Sequence, residues 1–237
     1  MISANIDRVR AGIAAACQRT GRRPDEVTLI AVTKTFPADQ IREAVRAGVA
    51  DIGENYVQEL LPKHEELSGE AIRWHFIGHL QSNKVKYLAP WVTLVHAVDN
   101  RSLAEELDRR ARQHGRVLDV LVEVNTTGEQ SKFGLRPDAV LPFVRSLADL
   151  QTIRVTGLMT IGPFLPDPEG SRPMFRRLRE IRDELRGVAQ TNLHPVHLSM
   201  GMTGDYEVAV EEGATFIRIG TALFGTRPKR RSGDRRA

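Results

Sequence analysis

The chain of 237 residues lacks several features that mark particular classes of protein. It has a single cysteine, Cys17, which excludes an intrachain disulfide and a cysteine-rich metal site and is typical of a reducing compartment. It has no apolar run of about eighteen residues, and its first residues, MISANIDRVR, lack the apolar core of a signal peptide. We therefore expect a cytoplasmic protein with no membrane partner.

The formal net charge of +4 comes from one end of the chain and not from a basic surface. The last eleven residues, RPKRRSGDRRA, hold six Lys or Arg and one Asp; without them Lys and Arg number 28 instead of 34, and Asp and Glu 29 instead of 30. We interpret residues 228–237 as a basic, disordered tail and residues 1–227 as a single domain. No specific binding of nucleic acid is expected from such a distribution.

Eight short apolar, β-rich runs alternate along the chain with charged segments of helical period. Strands that alternate with helices form parallel sheets, and eight such units close a barrel of about 250 residues. The pattern therefore predicts a (β/α)8 TIM barrel. The runs are VTLIAVTK (27–34), ADIG (50–53), IRWHFIG (72–78), VTLVHAV (92–98), VLDVLVEV (117–124), IRVTGLMT (153–160), PVHLSM (195–200) and TFIRIG (215–220).

A doubly wound open sheet is the alternative fold. It fits less well because the glycine-rich turn G-x-G-x-x-G does not follow the first strand, where Thr33, Lys34 and Thr35 stand instead. Before the first strand, apolar residues recur with helical spacing from Ser3 to about Thr20. This segment predicts an additional N-terminal helix, packed outside the barrel or over its bottom.

A lysine ends the first predicted strand, in the stretch LIAVTKTFP. Side chains alternate along a strand, so Lys34 shares a face with Ile30 and Val32, which is the predicted barrel interior. Loss of hydration there lowers the pKa of a lysine and raises the fraction of neutral amine that can attack a carbonyl. An ion pair of Lys34 with Glu54 or Asp99 is an alternative of equal weight on this pattern.

The last two predicted strands end in glycine turns, SMGMTGD and RIGTALFG, each followed by a helix. A phosphate held by the loops after strands seven and eight is a recurrent feature of this barrel. Arg218 lies on the inward face of the last strand and requires a partner, either a carboxylate such as Asp99 or a ring nitrogen of a cofactor. An amine, a phosphate site and such a donor together describe a pocket for pyridoxal 5'-phosphate (PLP).

The blocks that carry these residues resemble those of a known family. WHFIGHLQSNKVKYL (74–88) is similar to the signature of the YggS/PROSC family of PLP-binding homeostasis proteins. AVTKTFP, GENYVQE, SKFG, LSMGMTGDYEVAV and RIGTALFG resemble the family's other blocks in the same order, from about Val27 to Arg227.

The resemblance implies a barrel like the N-terminal domain of bacterial alanine racemase, with Lys34 carrying PLP as an internal aldimine. It also implies that Arg218 lies near the pyridine nitrogen and that Asn55 lines the ring. The phosphate contacts that it implies come from Ser199, Gly201, Gly220 and Thr221.

A role without catalysis is favoured for this pocket. An arginine cannot protonate the pyridine nitrogen, which weakens the cofactor as an electron sink. Racemases that resemble this barrel add a second base from a further β domain, and the stretch after Ile219 is too short and basic to form one. We expect a monomeric carrier that stores PLP and delivers it to apoenzymes. The alternatives are a weak PLP-dependent amino-acid racemase and a lysine-dependent sugar-phosphate aldolase.

Other candidate acids, bases and ligands give weaker signals. His75 and His79, on a strand and its exit loop, share no helical face, and His194 and His197 lie on opposite strand faces, so neither pair predicts a zinc site. All seven histidines are interpreted as core or solvent residues, and no metal site is predicted. Asp99 and Glu123 are interpreted as carboxylates at the barrel rim with ion-pairing roles.

Overall fold

Eight parallel strands close into a barrel in which each strand pairs with the next along the chain and the last pairs with the first. This computed structural model describes residues 1–129, 133–163 and 165–226. The predicted tail, 228–237, lies outside the described residues. The strands are β1 Thr28–Val32, β2 Asp51–Glu54, β3 Arg73–Phe76, β4 Leu94–Val98, β5 Leu118–Glu123, β6 Ile153–Met159, β7 Leu193–Ser199 and β8 Phe216–Ile219. The predicted (β/α)8 barrel is confirmed.

Each strand is followed by a helix, so that the helices form a ring around the barrel. In the described part of the chain they are α1 Ile2–Thr20, α2 Ala38–Arg46, α3 Val57–Glu66, α4 Val85–Leu88, α5 Arg101–Gln113, α6 Val140–Ser146, α7 Arg172–Leu185, α8 Tyr206–Glu211 and α9 Thr221–Phe224. Asn100 caps α5 by accepting a hydrogen bond from the backbone N–H of Leu103.

The predicted N-terminal helix is α1, and it packs outside the barrel against α2, α8 and α9. Ile6, Val9 and Ile13 face inward and are almost completely buried. Gly21, in the left-handed region at φ 67°, ends the helix. The apolar stripe read from the sequence therefore joins α1 to the outer ring.

Apolar packing divides into two regions. The larger fills the space between the strands and the helices, and the smaller lies inside the barrel. The inner cluster consists of Ile30, Leu94, Ala97, Leu121, Met159 and Phe216. Several polar side chains are buried inside the barrel as well, and a buried polar group is costly unless it is hydrogen-bonded. The hydrogen-bond pattern of the barrel interior is therefore a main constraint on its structure.

The described residues contain neither a helix suited to span a membrane nor a cluster suited to hold a metal ion. No helix among them combines the length and apolarity that crossing a membrane requires. The same residues contain no group of three or more His, Cys, Asp or Glu side chains placed to hold a metal ion.

Candidate functional site

A cavity of about 500 Å³ opens at the C-terminal ends of the strands, where the active sites of this fold lie. Five of the seven residues predicted for the pocket line it, namely Lys34, Asn55, Arg218, Gly220 and Thr221. Ser199 and Gly201 are not among its lining residues. Its other lining residues are Val32, Ile77, Ile161, Pro163, Leu165, Met202, Thr203, Gly204 and Asp205.

The turn that carries Lys34 is held in an unusual conformation. Thr35, the next residue, has a φ of 70°, the left-handed region that a β-branched residue rarely adopts. Its backbone N–H donates to Glu59 Oε2 on α3 at 2.7 Å, and the backbone N–H of Phe36 donates to Thr33 O at 3.0 Å. These bonds fix the backbone on both sides of Lys34.

A buried ion pair between Lys63 and Glu54 stabilises the same turn. Lys63 Nζ donates to Glu54 Oε1 at 2.5 Å and to the carbonyl oxygen of Thr33 at 2.8 Å. Burial raises the pKa of Glu54, although the charge of Lys63 opposes the shift. The Thr33 hydroxyl donates to the same carboxylate oxygen at 2.7 Å. Glu54, one of the two carboxylates considered for Lys34, is thus paired with Lys63.

Asn55 presents an unsatisfied acceptor beside the cavity. Its Oδ1 atom is buried and has no hydrogen-bond partner within the described ranges. The backbone around it is tightly constrained, because a Cβ on Gly78 would come 2.3 Å from the carbonyl oxygen of Asn55. Glycine at 78 therefore allows the chain after β3 to pack directly against the backbone of Asn55, which follows β2.

Two turns present backbone donors to the cavity, one after β7 and one after β8. In the described structure, the backbone N–H groups of Thr203, Gly204, Gly220 and Thr221 donate to no acceptor. Asp205 shapes the first turn, because its Oδ1 atom accepts from the backbone N–H of Met202 at 2.7 Å. Converging N–H groups without acceptors are suited to bind an anion.

Gly201 lies behind the first of these turns. Its φ of 89° is in the left-handed region, and a Cβ there would lie 2.5 Å from Cβ of Ala209 on α8. Its carbonyl oxygen accepts from the backbone N–H of Arg218 at 3.0 Å. Glycine at 201 therefore positions the turn against both α8 and β8, whereas a Cβ on Gly204 would meet nothing within 4 Å.

Arg218 reaches the cavity from inside the barrel. Its side chain is buried, and it donates to Ser199 Oγ at 2.6 Å and to the carbonyl oxygen of Thr160 at 2.8 Å. Burial lowers its pKa to about 10, with Glu123 and Asp205 opposing the shift, so it is a cation at neutral pH. Both of these hydrogen-bond acceptors are neutral oxygens. Asp99, the carboxylate proposed as an alternative partner of Arg218, is not one of them.

Glu123 and Asp99 lie at the ends of neighbouring strands. Glu123 is buried, and burial, followed by the charge of Asp99, raises its pKa to about 7. Asp99 Oδ2 accepts from the backbone N–H of Gly134 at 3.4 Å. Glu123 therefore changes charge near neutral pH, and its charge acts on the buried guanidinium of Arg218.

A chain of hydrogen bonds runs through the barrel beneath Arg218. Ser199 Oγ lies 2.9 Å from His96 Nδ1, His96 Nε2 lies 3.0 Å from His75 Nδ1, and His75 Nε2 lies 2.9 Å from Asp51 Oδ1. The sequence alone predicts these histidines only as core or solvent residues. The alternation of side chains along the strands could have indicated that both histidines face the barrel interior. In the structure, His75 is paired in register with Leu94 of the inner cluster.

Comparison with known proteins places the chain in a family. Residues 4–228 match the family described as "Alanine racemase, N-terminal domain". A pyridoxal phosphate homeostasis protein of Aquifex aeolicus is 48% identical over 222 residues, which cover 94% of this chain and 96% of that protein.

Solved structures give the same result. An unknown protein from Bifidobacterium adolescentis is 40% identical, with a TM-score of 0.88 and 94% of each chain covered. PipY of Synechococcus elongatus, solved with PLP bound, is 35% identical, with a TM-score of 0.83 and coverage of 95% of this chain and 100% of that one. The chain therefore belongs to the alanine racemase N-terminal domain family and, within it, to the pyridoxal phosphate homeostasis proteins.

Proposed function

We propose that this protein binds PLP at the C-terminal mouth of its barrel and serves PLP homeostasis, with Lys34 as the attachment point and without catalytic turnover. The observation that carries the proposal is that Lys34, Arg218 and two turns with unused N–H donors share one cavity. The names of the relatives and the PLP bound to PipY support the same ligand.

The residues of the cavity fit PLP by size and by chemistry. About 500 Å³ falls within the usual range for small-molecule sites. The turns at 203–204 and 220–221 offer to a phosphate backbone donors that bond to no acceptor in the described part of the chain. The unsatisfied Oδ1 atom of Asn55 offers an acceptor to a polar substituent of the ring.

Each group of the chain has a defined part in the proposed site. When bound, PLP supplies an aldehyde that reacts reversibly with amines. The fixed turn around Thr35 directs Lys34 into the cavity, and Arg218 offers its guanidinium to the ring nitrogen. Because Arg218 is a cation that only donates, it leaves that nitrogen unprotonated, which limits carbanion chemistry.

The proposal includes release of PLP to other proteins. Ile161 and Leu165, which line the cavity, are 38% and 44% exposed, so the described wall is partly open to solvent. An accessible cavity is compatible with exchange of the cofactor. The recipients would be apoenzymes that require PLP.

The experiment titrates the purified protein with PLP by absorbance, and then mixes the loaded protein with an apoenzyme. We expect uptake by the wild-type protein, no lysine-bound chromophore in Lys34→Ala, and recovery of activity by the apoenzyme. Incubation with alanine and serine in heavy water should leave their α-positions undeuterated.

Other outcomes would replace the proposal. Deuteration of the amino acids would identify a racemase-like enzyme. Absence of PLP uptake, together with cleavage of a sugar phosphate, would identify a lysine-dependent aldolase. Absence of uptake alone would contradict the proposed function.

A further inference from the structure

The hydrogen-bond chain beneath the cavity connects two charged ends of the barrel. At the upper end, Arg218 donates to Ser199 Oγ at 2.6 Å. At the lower end, Arg73 Nε donates to Asp51 Oδ1 at 2.8 Å. His96 and His75 lie between them and are almost completely buried. The side chains from Ser199 to Asp51 therefore have partners on both sides and little contact with water, whereas Arg73 is exposed.

The chemistry of the two ends restricts where the protons lie. Arg218 can only donate, so Ser199 Oγ accepts from it. Asp51 can only accept as a carboxylate, because hydrogen bonds from His75 and Arg73 outweigh the effect of burial and lower its pKa. His75 Nε2 therefore carries a hydrogen, directed at Asp51.

One further hydrogen lies between His75 Nδ1 and His96 Nε2, which are 3.0 Å apart. Any third proton on the pair would have to sit on His96 Nδ1, facing Ser199. Both rings are almost completely buried, which favours the uncharged pair with only two hydrogens, and burial is the main cause that lowers the pKa of His96 well below its usual range. In the uncharged pair the hydrogen between the rings belongs to His96, and His96 Nδ1 carries none. His96 is then protonated at Nε2 and accepts at Nδ1.

We propose that His96, oriented by His75 and Asp51, is a positioning residue that takes the hydroxyl hydrogen of Ser199 and thereby directs the Ser199 lone pairs at Arg218. The proposal rests on the proposed function in that Arg218 is taken to face PLP. Its consequence is that an acceptor outside the cavity, His96 Nδ1, fixes the guanidinium of Arg218 in the cavity wall through Ser199.

The alternative state of Ser199 explains why this orientation matters. Without an acceptor at His96 Nδ1, the hydroxyl hydrogen of Ser199 is free to rotate toward Arg218, where two donors would meet. The guanidinium would then lose one of its two buried bonds and keep that with the carbonyl oxygen of Thr160. A guanidinium with only one hydrogen bond to the protein adopts more orientations, so its remaining N–H groups are directed less consistently at a ligand.

Two substitutions of His96 separate this role from simple packing. Asparagine places an amide oxygen near the position of imidazole Nδ1, so His96→Asn keeps an acceptor for Ser199 and loses the bond to His75. Glutamine reaches the position of Nε2, so His96→Gln keeps the bond to His75 and loses that to Ser199. The two variants thus break opposite halves of the chain.

The variants are compared by PLP affinity, by the absorption maximum of the loaded protein and by melting temperature. We expect His96→Gln to weaken PLP binding by about tenfold or more and to shift the maximum, since a hydrogen bond to a charged group is lost. His96→Asn should stay close to the wild-type protein in PLP affinity and in absorption maximum. Equal losses in the two variants, or losses that follow the melting temperature, would contradict the proposal.

A second measurement uses the unmodified chain without PLP. Long-range proton–nitrogen NMR distinguishes the two ring nitrogens of each histidine, and His96→Asn identifies the signals of His96. We expect His96 to be protonated at Nε2 alone at pH 7. Protonation at Nδ1 would overturn the proposal, because Ser199 could not then donate to it.

The two proposals fail in different ways. If wild-type protein takes up no PLP at Lys34, the proposed function is wrong, whatever the NMR shows. If PLP binds at Lys34 while His96→Gln and His96→Asn behave alike, the proposed function stands and the positioning role is wrong.

Discussion

The backbone N–H of Thr35 donates to Glu59 Oε2 at 2.7 Å, directly after the lysine of the cavity. Within the described residues, Thr35 is the one residue other than glycine with a positive φ. Such a conformation costs of the order of 1–3 kcal/mol and persists where surrounding contacts enforce it. A side chain on α3 therefore holds the turn that presents Lys34.

Replacing Glu59 should release this turn. We expect Glu59→Ala to lower the free energy of unfolding by about 1–3 kcal/mol, because a half-buried backbone donor loses its acceptor. The same variant should bind PLP more weakly, because Lys34 would no longer be confined. Urea unfolding and PLP titration measure the two effects. Glu65→Ala, on the exposed side of α3, is the control; equal behaviour of the two variants would refute the role of Glu59.

The two glycines of the turn after β7 should respond differently to alanine. Gly201→Ala introduces a Cβ at a positive φ and 2.5 Å from Cβ of Ala209, so we expect a loss of about 2–4 kcal/mol in unfolding free energy. Gly204→Ala meets nothing within 4 Å and should change it by less than about 1 kcal/mol. Chemical denaturation of both variants tests the difference, and a tolerated alanine at 201 would show that the turn can shift.

Glu123 should make stability depend on pH. Its pKa rises from 4.5 to about 7 in the folded protein, mainly through burial. A carboxyl with a raised pKa in the folded state stabilises the fold below its unfolded pKa, and this contribution is lost as the pH rises to about 7. The difference in unfolding free energy between Glu123→Gln and the wild type should therefore increase, in favour of the variant, by about 2–3 kcal/mol from pH 5 to pH 8.

The control for this pH effect is Glu65→Gln, since Glu65 is exposed. Its unfolding free energy should follow that of the wild type at both pH values. A Glu123→Gln protein whose stability parallels the wild type from pH 5 to pH 8 would mean that Glu123 titrates as an ordinary carboxyl group.

The barrel and most of its pocket were predictable because both follow from local patterns. Apolar β-rich runs mark the strands, and parallel strands bring their C-terminal ends to one mouth, so Lys34 and Arg218 had to approach each other. Glycines after the last two strands marked the turns with free donors. The alternation of strand side chains also placed Arg218 on the inner face with Phe216, as the structure has it.

The contacts that support the pocket were not predictable from the same patterns. The bond between His96 and Ser199 joins β4 to β7, and no local period shows which side chains meet inside a closed barrel. Ser199 was placed at the phosphate by resemblance; its hydroxyl contacts His96 and Arg218, and a phosphate contact remains a prediction. The bond from Thr35 to Glu59 depends on the rotation of α3, which the sequence does not specify.

The most direct test of the account is to load the protein with PLP, reduce it with borohydride and map the modified peptide. We predict a single modified lysine, Lys34, and no modification in Lys34→Ala. Lys63→Arg, which keeps a cation beside Glu54, should remain modified at Lys34. Modification at a different lysine, or a Lys34→Ala protein that still traps the cofactor, would contradict the central claim.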